Sequence, residues 1–389
     1  MVVVVGSTTR GGRRRKKKKE EEEPSTSMKR AGNNYWGAMF LLCIALVQLL
    51  SVSSAPVFRG GSALSLPRFN ANIKVCNTKE GTEFGCTRHG KCEKGALTFS
   101  CVCEPLFKGF GCDLGHDADA AKKFKTNMAL KKLAVLAAST SNQAYEKSIG
   151  DATKKCPMFK SLKDAAIVKL TGTQENFLMH GVSEGTPFIT FRGTDSLATA
   201  AQDVQSNPQD LVLSSGKKVR VHTGFHTAIM KNKDQIFDIA KTVLKGRKTI
   251  LLSGHSLGGA MAAFFSVLLH DKFPDETISL ITFGKPRVGG MNFAQLVESS
   301  CTGGVYRFVN VQGSKAEPTL DAVPTLPNVF PQGLQNFYYV HAGDQVSLGV
   351  GDQTEQTTGA VLKLALHGGD LYQKRVEQYT GLNVCSGPK

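Results

Sequence analysis

The 389-residue sequence predicts an α/β fold, a mostly parallel sheet covered on both faces by helices. Three observations predict it. Short apolar runs without alternation, the pattern of strands buried on both sides, recur from residue 187 onward. Stretches of helical length and rhythm lie between them. And at residues 254–258 a Gly-x-Ser-x-Gly stands where one apolar run passes straight into a helix.

The N-terminal residues read differently. Residues 1–27, MVVVVGSTTRGGRRRKKKKEEEEPSTS, place seven basic residues before four glutamates, too polar to bury a core and so expected to be disordered. From Met28 the chain has a basic start, a mainly apolar core of 13 residues (38–50) and small residues at Ser53 and Ala55. That is the layout of a secretory signal peptide over 28–55, cleaved after Ala55. The apolar core is short for a membrane span, which needs about 20 residues; an uncleaved signal anchor is the alternative. Met28 also makes a better start than Met1, so residues 1–27 are expected to be an extension absent from the mature protein. The formal charge of +16 falls to +10 without residues 1–55. No zinc-finger spacing or later basic block points to nucleic acid.

Secretion makes disulfides the default state of cysteine. Six of the ten cysteines, Cys76, Cys86, Cys92, Cys101, Cys103 and Cys112, crowd into residues 73–113 after a linker at 56–72. Spacing alone does not choose their pairing. The stretch CVCEPLFKGFGC, a Cys-x-Cys followed by an aromatic-Gly turn and a last Cys, resembles an EGF-like module. The resemblance implies the pairs Cys76–Cys92, Cys86–Cys101 and Cys103–Cys112. Asn70-Ala-Asn72-Ile-Lys-Val lacks the carboxylate that calcium-binding modules carry before their first Cys. Such a module serves either as a stapled spacer or as a contact with a partner or surface.

The large domain is assigned to residues 114–389. DADAAKKFKTNMALKKLAVLAAST reads as one amphipathic helix. PFITF (187–191), KTILLSG (248–254), ISLITFG (278–284) and VYRFVNV (305–311) read as buried strands, with HTAIMKNKDQIFDIAKTVLKG and GGAMAAFFSVLLHDKF as helices between them. Gly254-His255-Ser256-Leu257-Gly258 then lies on a sharp strand-to-helix turn, which exposes the Ser256 oxygen at the carboxyl end of the sheet and aims a helix N-terminus at it. A nucleophilic serine needs a base and an orienting carboxylate, which follow the serine in this fold in the order acid, then His. Among the nine histidines, six precede Ser256, and His270 lies on the following helix and is expected to be exposed. His341 and His367 remain. Asp321, in the Pro-rich loop DAVPTLP, fits the acid best.

FRGT (191–194), VHTGF (221–225), GHSLGGA (254–260), GKPRVGG (284–290), DAVPTLP (321–327) and FYYVHAGD (337–344) occur in the order seen in class 3, fungal-type lipases, which the chain resembles from about residue 138 to 385. The resemblance implies an α/β-hydrolase-type sheet with Ser256 as nucleophile, Asp321 as acid and His367 as base. It assigns the oxyanion hole to the backbone N–H groups of Leu257 and Thr194, with Asp203 supporting the Thr194 hydroxyl. It makes His341 non-catalytic. It also implies a closing disulfide, Cys156–Cys385, leaving Cys301 free. Two departures stand out. The Asn310–Asp321 span is long, and Tyr372 lies farther after the histidine than is usual. The lid segment DSLATAAQDV carries Thr199 and Ala200 where relatives carry Asn-Trp, and Leu197 is its one large apolar residue before Val204. So small an apolar face predicts weak activation at an oil–water interface.

These features predict a secreted carboxylic-ester hydrolase acting on lipid esters through an acyl-enzyme, with no cofactor and no metal. Contact with a lipid interface or cell surface is the expected partner surface. A short-chain, phospholipid or feruloyl-type esterase is the alternative on the same fold. A non-catalytic binding protein using the EGF-like module is the alternative of another class. No Asn-x-Ser/Thr sequon occurs.

Overall fold

The computed structural model describes residues 89–94, 99–104, 107–108, 112–170, 177–194, 207–313, 318–327, 329–332, 335–349 and 361–385. All lie in one of the chain's two units, residues 57–389; the other spans residues 1–56. The extension, signal peptide, linker and lid segment, together with Asp203, Cys76 and Cys86, lie outside the described residues.

In chain order the strands are β1 (Gly90–Lys94), β2 (Phe99–Cys103), β3 (Phe107–Lys108), β4 (Leu114–Gly115), β5 (Lys163–Lys169), β6 (Phe177–Ser183), β7 (Thr186–Phe191), β8 (Pro208–Val212) and β9 (Lys218–His222). There follow β10 (Thr249–His255), β11 (Thr277–Phe283), β12 (Val305–Gly313), β13 (Pro318–Asp321), β14 (Val329–Gln332), β15 (Gln335–Tyr338), β16 (Asp344–Leu348) and β17 (Val361–Lys363). The helices are α1 (Ala118–Thr126), α2 (Met128–Gln143), α3 (Ile149–Lys155), α4 (Thr223–Met230), α5 (Lys233–Leu244), α6 (Leu257–Lys272), α7 (Met291–Ser300) and α8 (Gly369–Thr380).

Nine strands form the central sheet in the order β17-β13-β12-β11-β10-β7-β6-β5, with β16 also bonded to β12. The centre is parallel, β7-β10-β11-β12-β16. The β5–β6, β6–β7 and β12–β13 pairings are antiparallel, so the edges are mixed rather than parallel. All four apolar runs read from the sequence are strands of this centre. Their period-two alternation feeds two cores. Ile250, Leu252, Ile278 and Leu280 enter the core beneath α4, α5, α6 and α7. Leu251, Ile281, Phe283 and Phe308 enter the core beneath α1, α2 and α8. Helix α6 lies inside the first core, which explains why it is apolar all round.

Two sequence expectations are corrected. The predicted helix after residue 115 is broken at Asn127, whose ψ of 111° leaves the helical region and whose Oδ1 accepts from the Ala129 and Leu130 N–H groups. An amide that caps a new helix outcompetes an unbroken apolar rhythm. His270 is half-buried rather than exposed. The long Asn310–Asp321 span proves to be a fold-back. The last residues of β12 pair antiparallel with β13, which carries Asp321 back toward the carboxyl ends of the parallel strands.

Cys103–Cys112 and Cys156–Cys385 are disulfides, and Cys301 is a buried free thiol whose pKa burial pushes up to about 12. At neutral pH it is unreactive. The pairings Cys76–Cys92 and Cys86–Cys101 each involve a residue outside the described ones. Among the described residues no helix is long and apolar enough to cross a membrane.

Candidate active site

Ser256 joins β10 to α6 with φ 55° and ψ −130°. A residue with a side chain pays about 1–3 kcal/mol for such a conformation, so its surroundings must impose it. They do. The Ser256 N–H donates to Phe283 O at 2.9 Å, and Ser256 O accepts from the Gly259 and Ala260 N–H groups at 3.0 and 3.3 Å. The turn is this tight because Gly258 lies on the backbone of β7: a Cβ there would sit 2.0 Å from Phe191 O.

Next to Phe283, Gly284 forms the floor of a carboxylate–imidazole pair. Its φ is 57°, and an added Cβ would meet Asp321 Oδ2 and His367 Cε1, each at 2.8 Å. His367 Nδ1–H donates to Asp321 Oδ2 at 2.7 Å. The phenol of Tyr372 donates to the same oxygen at 2.6 Å, and Oδ1 accepts from the Val323 N–H at 3.0 Å. With Nδ1 holding the proton, Nε2 keeps its lone pair. That atom is buried and has no hydrogen-bond partner among the described residues. Ser256, His367 and Asp321 are 2%, 1% and 0% exposed, so the pair is shielded from competing water.

The residues flanking the pair fix its position. Asn310 donates from Nδ2 to Leu366 O at 2.8 Å and from its backbone N–H to the Tyr372 oxygen at 3.0 Å. His255 Nε2 lies 2.6 Å from His367 O, and a carbonyl only accepts, so Nε2 carries the hydrogen. Its Nδ1 then accepts from the Tyr145 hydroxyl at 3.1 Å. Burial, and then the neighbouring His367, hold the His255 imidazole neutral, with a pKa well below the usual histidine value. Burial and the Asp321 charge drive the Tyr372 phenol well above its usual range, which keeps it a donor.

A second network braces the loop that follows Asp321. Lys285 Nζ lies 3.2 Å from His341 Nδ1, while His341 Nε2 donates to Pro324 O at 2.8 Å. Asp113 Oδ2 accepts from Arg287 Nε at 2.7 Å and from the His341 N–H at 3.0 Å, and Arg287 reaches on to the carbonyls of Thr325 and Pro327. Burial and the charges of Arg307, Lys285 and Arg287 keep His341 neutral.

The structure joins two of the residues predicted from sequence, Asp321 and His367, bonds the Ser256 N–H to Phe283 next to the Gly284 floor of that pair, and places His341 on the brace of the acid's loop. Leu257 is the first residue of α6, and Thr194 follows Gly193, where an added Cβ would stand 3.3 Å from Ser256 Cβ. Asp203 lies outside the described residues. Sequence reasoning missed His255, Tyr145, Lys285 and Arg287. One signal was available for Asn310, which with Arg307 is a polar residue in the mainly apolar run VYRFVNV.

Residues 188–330 match the family model for lipase (class 3). The chain is 28% identical over 324 residues to a lipase of Rhizopus niveus, covering 77% of this chain and 76% of that protein. It is 29% identical over 140 residues to a secreted mono- and diacylglycerol lipase of Malassezia restricta, covering 34% of this chain and 46% of that one. These matches support a class 3, fungal-type lipase. They support, with the fold, a triacylglycerol lipase-like carboxylic-ester hydrolase. Among solved structures, lipase II from Rhizopus niveus superposes with a TM-score of 0.47 at 23% identity, covering 65% of this chain and 95% of that one.

Two expectations arise from these contacts. Tyr372→Phe removes one donor from Asp321 and leaves the buried Asn310 N–H without its acceptor. Such a loss costs about 1–3 kcal/mol. Urea unfolding at pH 7.5 should register it, and kcat should fall by about tenfold or more; an unchanged unfolding midpoint would contradict the bond. The second concerns acid. His255 and His341 stay neutral in the folded chain, whereas in the unfolded chain they take up protons below pH ~6.5. Their contribution is complete above that pH and is lost as pH falls through it, by up to about 1.4 kcal/mol per pH unit for each histidine. Unfolding free energy should therefore drop from pH 7.5 to 5.5; a flat or rising profile would refute their neutrality.

Proposed function

We propose that the chain is a secreted carboxylic-ester hydrolase that cleaves lipid esters through an acyl-enzyme on Ser256. The observation that carries this is the buried Asp321–His367 pair, its Nε2 lone pair uncommitted, packed over Gly284, whose neighbour Phe283 accepts the Ser256 N–H. The Ser256 oxygen attacks the ester carbonyl as His367 Nε2 takes its proton. Asp321 stabilises the imidazolium, and Tyr372 and Val323 keep the carboxylate in place. The tetrahedral oxyanion accepts from the N–H groups of Leu257 and Thr194; losing one such donor typically lowers kcat by about 10²–10³. His367 then protonates the leaving alcohol, and water activated by the same nitrogen releases the acid.

Secretion is supported by the signal-like residues 28–55 and by disulfides, which suit an oxidising compartment. Residues 73–113 are proposed as the EGF-like module, of which β1, β2 and Cys103–Cys112 are described parts. Hydrolysis of nitrophenyl esters from acetate to palmitate, and of emulsified triolein, tests the reading. A long-chain preference is the expected result. Activity confined to short chains would move the substrate to soluble esters, as the small apolar face of DSLATAAQDV favours. No turnover of any ester would overturn the proposal.

A further inference from the structure

We propose a divalent-cation site, suited to zinc, that ties the cysteine-rich segment to the hydrolase domain through His89, Asp117 and Asp344. The three residues come from separate elements. His89 leads into β1, Asp117 caps α1, and Asp344 opens β16. One ligand atom from each lies within 4.8 Å of the others.

The hydrogen bonding around His89 fits a metal ligand. His89 Nδ1 lies 3.2 Å from Glu104 Oε2, on the residue that closes the β1–β2 hairpin with Glu104 N–H donating to His89 O at 2.8 Å. A carboxylate accepts, so Nδ1 carries a hydrogen, and with an ion bound it is Nε2 that would supply the lone pair. A ligand histidine whose other nitrogen donates to a carboxylate is the recurrent support arrangement of metal sites. Nε2 faces Asp117 Oδ2 at 3.5 Å. Two zinc ligands at tetrahedral angles and ordinary bond lengths stand about 3.3–3.5 Å apart. Asp117 Oδ1 meanwhile accepts from the Ala120 N–H at 2.8 Å, which orients Oδ2 toward the histidine. The side chains of His89 and Asp117 are 17% and 7% exposed, enough for an ion to enter while keeping the site partly desolvated.

The charge balance points the same way. Glu104, Asp117 and Asp344 present three carboxylates to one imidazole. Arg307 lies near Asp344, but its guanidinium donates to Asp113 O, Gly343 O and Gln345 Oε1. Two carboxylates and a neutral imidazole match the charge of a dipositive ion. An imidazole nitrogen with two carboxylate oxygens favours zinc over calcium or magnesium. The cation would act as a clasp, because His89, at the open end of the β1–β2 hairpin, meets Asp117 before α1 and Asp344 of β16 at this point. The site is independent of the ester-hydrolysing residues.

The test is isothermal titration of the EDTA-treated full chain with ZnCl₂ at pH 7.5, with melting temperature followed in parallel. One ion per chain and a raised melting temperature are expected. Glu104→Gln should weaken binding by about 10–100-fold. His89→Gln and Asp344→Asn should abolish it while leaving hydrolysis of a short soluble ester intact, which shows that both variants fold. Asp117→Asn should abolish it too, since asparagine caps a helix about as well as aspartate and removes only the charge. No stoichiometric binding, or binding that survives His89→Gln or Asp344→Asn, overturns the proposal.

Discussion

Ser256→Ala should abolish ester hydrolysis and leave the fold unmoved. The Ser256 side chain makes no capping hydrogen bond to α6, and alanine at φ 55° is strained as serine is. The backbone bonds to Phe283, Gly259 and Ala260 survive the change. Unfolding free energy should therefore shift by less than about 0.5 kcal/mol. Chemistry has no such reserve. Without the hydroxyl no acyl-enzyme forms, and kcat should fall on the order of 10⁶-fold, to what substrate binding and an oxyanion hole sustain alone. A fluorophosphonate should label the wild type and not the variant. Residual turnover above about 1%, or labelling of the variant, would place the nucleophile elsewhere.

Much of this site was legible because its chemistry imposes local rules. Ser256 announced itself through spacing: a buried strand, a serine at positive φ and a helix beginning at once leave room only for small neighbours, and Gly258 is in backbone contact with Phe191. Chain order left few candidates after Ser256, Asp321 among the acids and His341 or His367 as the base, and the resemblance to class 3 lipases chose His367. The four central strands were visible because burial on both faces requires mainly apolar runs.

What escaped was set by contacts between distant residues. Nothing around Asn127 says that its amide will cap α2 rather than lie within a longer helix. His255 appeared redundant because it precedes the serine, yet its ring bridges Tyr145 and the His367 carbonyl across 112 positions of sequence. Lys285, Arg287 and His341 sat in motifs without evident work. Their task is to hold the Pro324–Pro327 loop through Asp113, a residue outside all of those motifs. The wide Asn310–Asp321 spacing looked like an insertion; pairing of β12 with β13 turns it into the device that returns the carboxylate to the site.

Asp321→Asn should separate geometry from charge. The two side chains are nearly isosteric, so the pocket over Gly284 accepts the amide. Its hydrogen bonding cannot be reconciled, however. Oδ2 accepts from both His367 and Tyr372, and Oδ1 accepts from the Val323 N–H. If the amide nitrogen takes the Oδ2 position it meets two donors. His367 can answer by moving its hydrogen from Nδ1 to Nε2, and it then no longer has a lone pair for the Ser256 proton. If the nitrogen takes the Oδ1 position it faces the Val323 N–H, and the imidazolium loses its counter-charge. Either orientation leaves a buried donor unmatched, at about 1–3 kcal/mol of stability. In either case kcat should fall by about 10⁴ near neutral pH. Tyr372→Phe keeps the carboxylate and should lose far less, so the ratio of the two deficits measures what the negative charge supplies beyond placement. Stopped-flow acylation with a nitrophenyl ester, alongside urea unfolding, resolves the two effects. A kcat within tenfold of wild type for Asp321→Asn would remove Asp321 from the acid's role and direct attention to another carboxylate.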